Sequence, residues 1–306
     1  MASVRVRMVS GKGGVGKTTV ATAIALAQAR AGQRVLLAEV DGRDRVAALL
    51  GVAPVGPQVR EVLERLYVVD MQPREAIREY VLMTLRFEAL YQAVFENRFV
   101  RRFLRLIPAL GELVMLGKVW YHEREVVNGR PRFDVLVVDA PATGHVISML
   151  RTPGVVERAV PPGPLRENAR QIRELFSDAK RTRLHLVTTP EEMPVNETLE
   201  LLAAARGELG MALGALVINQ HVPPLPAPAR QLLGDEEDEP AWQALQRALV
   251  RREGKQRLGE SYLSRLPAPL LHAAVTLPRL ASERLGVSDL EALAPLLTRV
   301  MAEDPR

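Results

Sequence analysis

The segment Gly11-Lys12-Gly13-Gly14-Val15-Gly16-Lys17-Thr18 follows an apolar run and leads into an alanine-rich stretch, and it restricts the fold more than any other part of the chain. Its spacing, a glycine, four residues, then Gly-Lys-Thr, is that of a phosphate-binding loop. Glycines let the backbone reach positive φ and turn successive N–H groups toward phosphate oxygens. A helix expected over residues 17–31 adds its N-terminal dipole to the cradle. Lys17 is expected to neutralise the β/γ oxygens and the Thr18 hydroxyl to ligate Mg²⁺, while Gly11, Gly13, Gly14, Val15, Gly16 and Thr19 complete a site for ATP or ADP. Gly11, Gly13 and Gly16 also satisfy G-x-G-x-x-G, with Glu39 or Asp41 about where a dinucleotide fold places its ribose-binding acid. A dinucleotide gains nothing from Lys17-Thr18, whereas a triphosphate needs both a cation and a metal-ligating hydroxyl. The loop is therefore read as a triphosphate site.

Strands are expected at residues 4–9 and 35–40, flanking the first helix, which Gly32 closes. Further core strands are expected at 135–138, 184–188, 215–219 and 273–277, and a weaker one at 67–71, with helical stretches between. The pattern predicts an α/β fold: a doubly wound, mostly parallel P-loop NTPase sheet forming one domain over residues 1–306. Residues 73–127 interrupt the alternation and are expected to form an inserted helical subdomain. Its apolar side chains between Val81 and Val119 suit either a closed core of that subdomain or a groove for a partner helix. Residues 221–230, rich in proline, and the acidic run 235–239 read as surface loop.

The absence of cysteine excludes disulfides, thiolate zinc sites and thiol-based metalloid binding. The net charge of +5 is spread among acidic residues, so a mixed, solvated surface is expected rather than a nucleic-acid face. No apolar run approaches the ~18 residues of a membrane span, and the first nine residues lack a secretory apolar core. A cytoplasmic protein without an integral membrane segment is expected.

Residues 132–139 form an apolar strand ending in Asp139, placed to hold Mg²⁺ beside Thr18 or, alternatively, to cap a helix. The small residues 140–145 after it suit a flexible loop that senses the γ-phosphate. Asp41 is positioned to orient or deprotonate the attacking water, with an Asx turn or helix cap over 43–50 as the other possibility. Glu39 is the second candidate for the catalytic acid/base.

Lys12, directly after the first glycine, and four later segments together carry a resemblance. These are 138–145 (Val-Asp-Ala-Pro-Ala-Thr-Gly-His), 189–198 (Thr-Pro-Glu-Glu-Met-Pro-Val-Asn-Glu-Thr), 217–220 (Val-Ile-Asn-Gln) and 276–280 (Thr-Leu-Pro-Arg-Leu) near 283–286. The chain resembles the arsenite-pump and tail-anchored-protein-targeting ATPase family, within the Min/Par/nitrogenase-iron-protein class with a deviant phosphate loop. The matches run in family order from about residue 4 to 295. The resemblance implies that Lys12 reaches a partner subunit's phosphates, that Asn219 and Pro278 hold adenine, and that ATP drives a dimeric switch. Its client would be a protein with an apolar helix; a regulatory or positioning switch without a client groove is the alternative. The partner is expected to be an identical chain or a related ATPase subunit. The family's switch I begins Asp-Pro-Ala-His, whereas this chain has Asp41-Gly42-Arg43-Asp44, so only the aspartate carries over. The zinc-binding and metalloid-binding cysteines of some members have no counterpart here, which leaves no zinc and disfavours an arsenite pump. Glu39-Val40-Asp41-Gly42 resembles a bacterial branch of single-domain subunits.

Overall fold

A computed structural model of the chain describes residues 4–42, 44–72, 109–227, 240–282 and 284–301. Among these residues an 8-stranded sheet has the order β10-β9-β8-β1-β7-β2-β4-β3. Its strands are β1 (Val6–Gly11), β2 (Val35–Val40), β3 (Arg60–Leu63), β4 (Leu66–Met71), β7 (Val135–Ala142), β8 (Thr182–Thr188), β9 (Leu213–His221) and β10 (Val275–Pro278). All neighbours pair in parallel except β3, which runs antiparallel to β4 at the edge. Two short strands, β5 (Val126–Val127) and β6 (Arg130–Pro131), form a separate hairpin. The expected strands are all present. The short edge strand β3 carries no buried residue and is not marked by the sequence.

Alternation along the strands divides the core in two. On one face, α1 (Lys17–Arg30), α2 (Arg45–Leu50) and α9 (Val287–Leu293) cover Val9, Val35, Leu37, Val68, Val135 and Val137. On the other lie α3 (Ala109–Arg124), α4 (Thr143–Ala159), α5 (Pro164–Ser177) and α6 (Glu192–Arg206), over Met8, Leu36, Ala38, Val69, Leu136 and Val138. Helix α1 is buried continuously from Val20 to Ala29, and its small alanines admit neighbours on every side. The long α7 (Pro240–Leu263) and short α8 (Ala268–His272) lead into β10, and α10 (Thr298–Met301) ends the described chain.

The chain leaves β1 for β2 on one side and later places β7 between them, while β8 lies on the other side of β1. The carboxyl end of β1 therefore stands at a reversal of strand order, where open α/β sheets bind ligands. The phosphate loop occupies that end.

Most of the expected helical insertion, residues 73–108, lies outside the described residues, as do the acidic run 235–239 and Glu283. Helix α3, from its last part, has Leu113, Val114, Met115, Leu116 and Val119 buried in the main core with the helices of that face. No helix among the described residues is long and apolar enough to cross a membrane.

Candidate active site

The phosphate loop is fixed from two directions. A Cβ on Gly11 would lie 2.0 Å from the Val187 carbonyl oxygen, so the neighbouring strand β8 admits only glycine there. Gly16 has φ of 90°, and a Cβ on it would fall 2.3 Å from Asn219 Nδ2. That amide donates to the Val15 carbonyl at 2.8 Å, so Asn219, buried on β9, braces the loop from behind. Pro278 is exposed at the end of the adjacent β10, in register with His221. Thr19 is half-buried in the first turn of α1.

The two lysines of the loop have different partners. Lys17 Nζ donates to the Lys12 carbonyl at 3.2 Å. Burial lowers the Lys17 pKa, with the Asp139 charge acting in the opposite direction. Lys12 Nζ instead donates to Glu197 Oε1 on α6 at 2.6 Å. Between the loop and the N-terminus of α6 lies a cleft of about 540 Å³ lined by Lys12, Gly14, Glu191, Met193 and Gln220, among others. That volume is within the range of small-ligand sites.

Strand alternation also aligns the acids. Asp139 pairs across the ladder with Glu39, and Glu39 with Asp70, so the three carboxylates stand side by side on the face that α1 covers. All three are at least 95% buried, and burial raises each pKa: Asp139 to about 6, Glu39 to about 7, Asp70 upward. Asp70 is not marked by the sequence, although its parity with Leu66 and Val68 could have shown which face it takes.

Asp139 lies within β7 rather than capping a helix, and its Oδ2 accepts the Thr18 hydroxyl at 2.7 Å. Its Oδ1 is buried without a hydrogen-bond partner, as is Thr143 Oγ1 at the start of α4. A hydroxyl beside a carboxylate with free lone pairs fits Mg²⁺, which keeps several waters and takes few protein ligands. Among the described residues no group of three or more His, Cys, Asp or Glu side chains could hold a metal, so the fit is to an ion completed by water and phosphate.

The segment 140–145, expected to be a loop, is ordered differently. Residues 140–142 extend β7, paired with β1 through Gly11↔Ala142, and Thr143, Gly144 and His145 open α4. The ladder to β1 carries the strand on past Asp139, and Thr143 begins the helix with no irregular residue between. His145 Nε2 lies 3.5 Å from Glu112 of α3.

Near switch I, Asp41 has φ of 55° and an exposed side chain, and its N–H donates to the Met71 carbonyl at 3.1 Å. It does not cap α2. Glu39 does so from the strand, accepting the N–H groups of Arg45 at 2.9 Å and Val46 at 3.3 Å. Asp44 turns to the following loop and accepts the Val55 N–H at 2.8 Å.

The family model described as anion-transporting ATPase matches residues 4–161 and 164–298. ATPase BagA of Mycobacterium tuberculosis is 30% identical over 233 residues, covering 73% of this chain and 67% of that protein. The arsenical pump-driving ATPase of Acidiphilium multivorum is 29% identical over 70% of this chain and 39% of its own greater length. ATPase GET3B of Arabidopsis thaliana is 24% identical over 71% of this chain and 64% of its own. With the phosphate loop, the Thr18–Asp139 pair and the parallel sheet in place, the chain belongs to the anion-transporting ATPase family and is an ATPase.

Proposed function

We propose that the protein is a Mg²⁺-dependent ATP hydrolase in which two subunits close on their nucleotides and the change in pairing is read by a bound protein. The observation that carries this reading is the division of labour between the loop lysines. Lys17 is turned into its own loop, while Lys12 faces outward on the cleft and is held by Glu197 in the same chain. A lysine so placed can leave Glu197 for a phosphate presented by a second copy or by a related subunit.

Mg²⁺ bound at Thr18 and Asp139 would neutralise charge on the β- and γ-phosphates. Backbone N–H groups of Gly13 to Thr18 hold the phosphate chain, and Lys17 exchanges its loop carbonyl for phosphate oxygens. Water is oriented by Asp41, whose exposed carboxylate is free to turn toward it; Glu39, already engaged with two backbone N–H groups, serves to hold α2. Attack of water on the γ-phosphorus breaks its bond to the bridging oxygen and yields ADP and phosphate. Asn219 and Pro278, on adjacent strands, take the adenine side.

Movement at Thr143 and Gly144 passes along α4, which Glu112 ties to α3 through His145 at 3.5 Å and the Thr152 hydroxyl at 2.7 Å. Helix α3 belongs to the proposed helical subdomain, residues 73–127, which is the proposed client-holding part. The proposed client is a protein carrying an apolar helix, and a cytoplasmic location fits a supply of ATP. A positioning switch with a polar partner surface is the second reading, favoured by the burial of Leu113 to Val119 in the main core. Light scattering with ADP and with a non-hydrolysable ATP analogue tests the switch: the analogue is expected to give a dimer, and a monomer in every nucleotide state contradicts it.

A further inference from the structure

We propose that Arg45 contacts the γ-phosphate of bound ATP from within its own subunit and stabilises the charge that builds there during hydrolysis. This rests on the nucleotide placement above, and not on subunit pairing.

Arg45 is the first residue of α2, where a cation opposes the helix dipole and an acid is the favoured choice. Its backbone is held in place all the same. Glu39 accepts the Arg45 N–H at 2.9 Å and the Val46 N–H at 3.3 Å. Glu39 is the ladder partner of Asp139, one strand spacing of about 4.8 Å away. Asp139 in turn holds the Thr18 hydroxyl at 2.7 Å. The start of α2 is thus tied, through one buried carboxylate, to the metal side of the phosphate loop.

The Arg45 side chain is exposed and, among the described residues, makes no hydrogen bond or ion pair. Its charge bears on both Lys17 and Asp139, the groups on either side of the expected terminal phosphate. Lys12, the outward-facing cation of the phosphate loop, is occupied by Glu197. Among the described residues, Arg45 and Lys17 are therefore the two cations placed to reach the subunit's own γ-phosphate. A planar guanidinium supplies paired donors that suit phosphoryl oxygens.

The test uses Arg45→Ala and Arg45→Lys in the full chain, with affinities for ADP and for a non-hydrolysable ATP analogue and turnover at saturating ATP. Arg45→Ala is expected to leave ADP affinity within about twofold, to weaken the analogue several-fold, and to lower kcat about 10- to 100-fold. Arg45→Lys should recover part of the loss in kcat and leave the melting temperature unchanged. If Arg45→Ala keeps kcat and analogue affinity within about twofold of wild type, or loses ADP affinity in step with analogue affinity, the assignment fails. Lys12→Ala measured beside it separates this outcome from failure of the pairing reading, which leaves Arg45 untouched.

Discussion

The two ends of the same strands treat charge in opposite ways. At the amino ends, several charges are held in ion pairs. Arg34 before β2 grips Asp134 before β7 with Nη2 at 2.6 Å and Nε at 3.1 Å, and this pulls the Asp134 carboxyl below its ordinary pKa. Glu123 of α3, 4% exposed, receives Arg181 at 2.6 Å and Arg5 at 3.4 Å. Glu125 takes Arg132 at 2.7 Å and His122 at 2.9 Å. At the carboxyl ends, Asp70, Glu39 and Asp139 stand in one row without an ion pair among the described residues, with pKa values raised by burial and one Asp139 oxygen unpartnered. Paired charge at one end holds helices and strand starts together. Charge left uncompensated at the other end costs stability and is what a metal and a phosphate chain require.

The largest effect that separates the ends is expected from Asp139→Asn. ATP turnover should fall by about 10²- to 10³-fold, while the nucleotide-free protein melts at or above the wild-type temperature, because a buried charge with an unsatisfied oxygen is removed. A large loss of stability in that variant would place Asp139 with the structural pairs. Glu123→Ala probes the other end. It should cost about 2–4 kcal/mol in denaturant unfolding, since two arginines lose their buried partner, yet leave turnover per folded molecule unchanged.

Glu39 gives a smaller effect with a definite sign. Its pKa is about 7 in the fold against an ordinary 4.5, so the folded state binds the proton more tightly. Stability of the nucleotide-free protein therefore falls as pH rises between these values, and is lowest above about 7. Glu39→Gln should flatten that slope in thermal melts from pH 4.5 to 8, whereas Asp134→Asn, at the paired end, should lessen the loss of stability in acid, because the depressed folded pKa of Asp134 makes its contribution disappear as pH falls. The smallest effect is expected from Glu197→Gln, which frees Lys12 and should raise turnover about two- to threefold at protein concentrations where pairing is incomplete. Equal turnover at all concentrations would make the Lys12–Glu197 contact incidental.

The parts of the site legible in the sequence are those written in contiguous residues. The phosphate loop, the strand ending at Asp139 and the alternation of strands and helices need only local spacing to be seen. Three features depend on register or on distant pairing and cannot be read that way. The Asp70–Glu39–Asp139 row exists because β7 inserts between β1 and β2. Glu39 caps α2 only because the strand end and helix start fold back on each other, and this removes the capping role from Asp41. Lys12 meets Glu197 across 185 positions. The segment 140–145 misleads for the opposite reason: its small residues look irregular, but pairing with β1 keeps them in the sheet as far as Ala142.

The shared-lysine site is tested most directly by mixing two inactive variants. Lys12→Ala keeps the Thr18–Asp139 pair but offers nothing to a partner, and Asp139→Asn loses that pair's carboxylate but keeps Lys12. If Lys12 acts across the pair, the mixture should recover about a quarter of wild-type ATP turnover, since half of random pairs are mixed and each holds one complete site. A mixture no more active than its separate components contradicts a lysine shared between subunits.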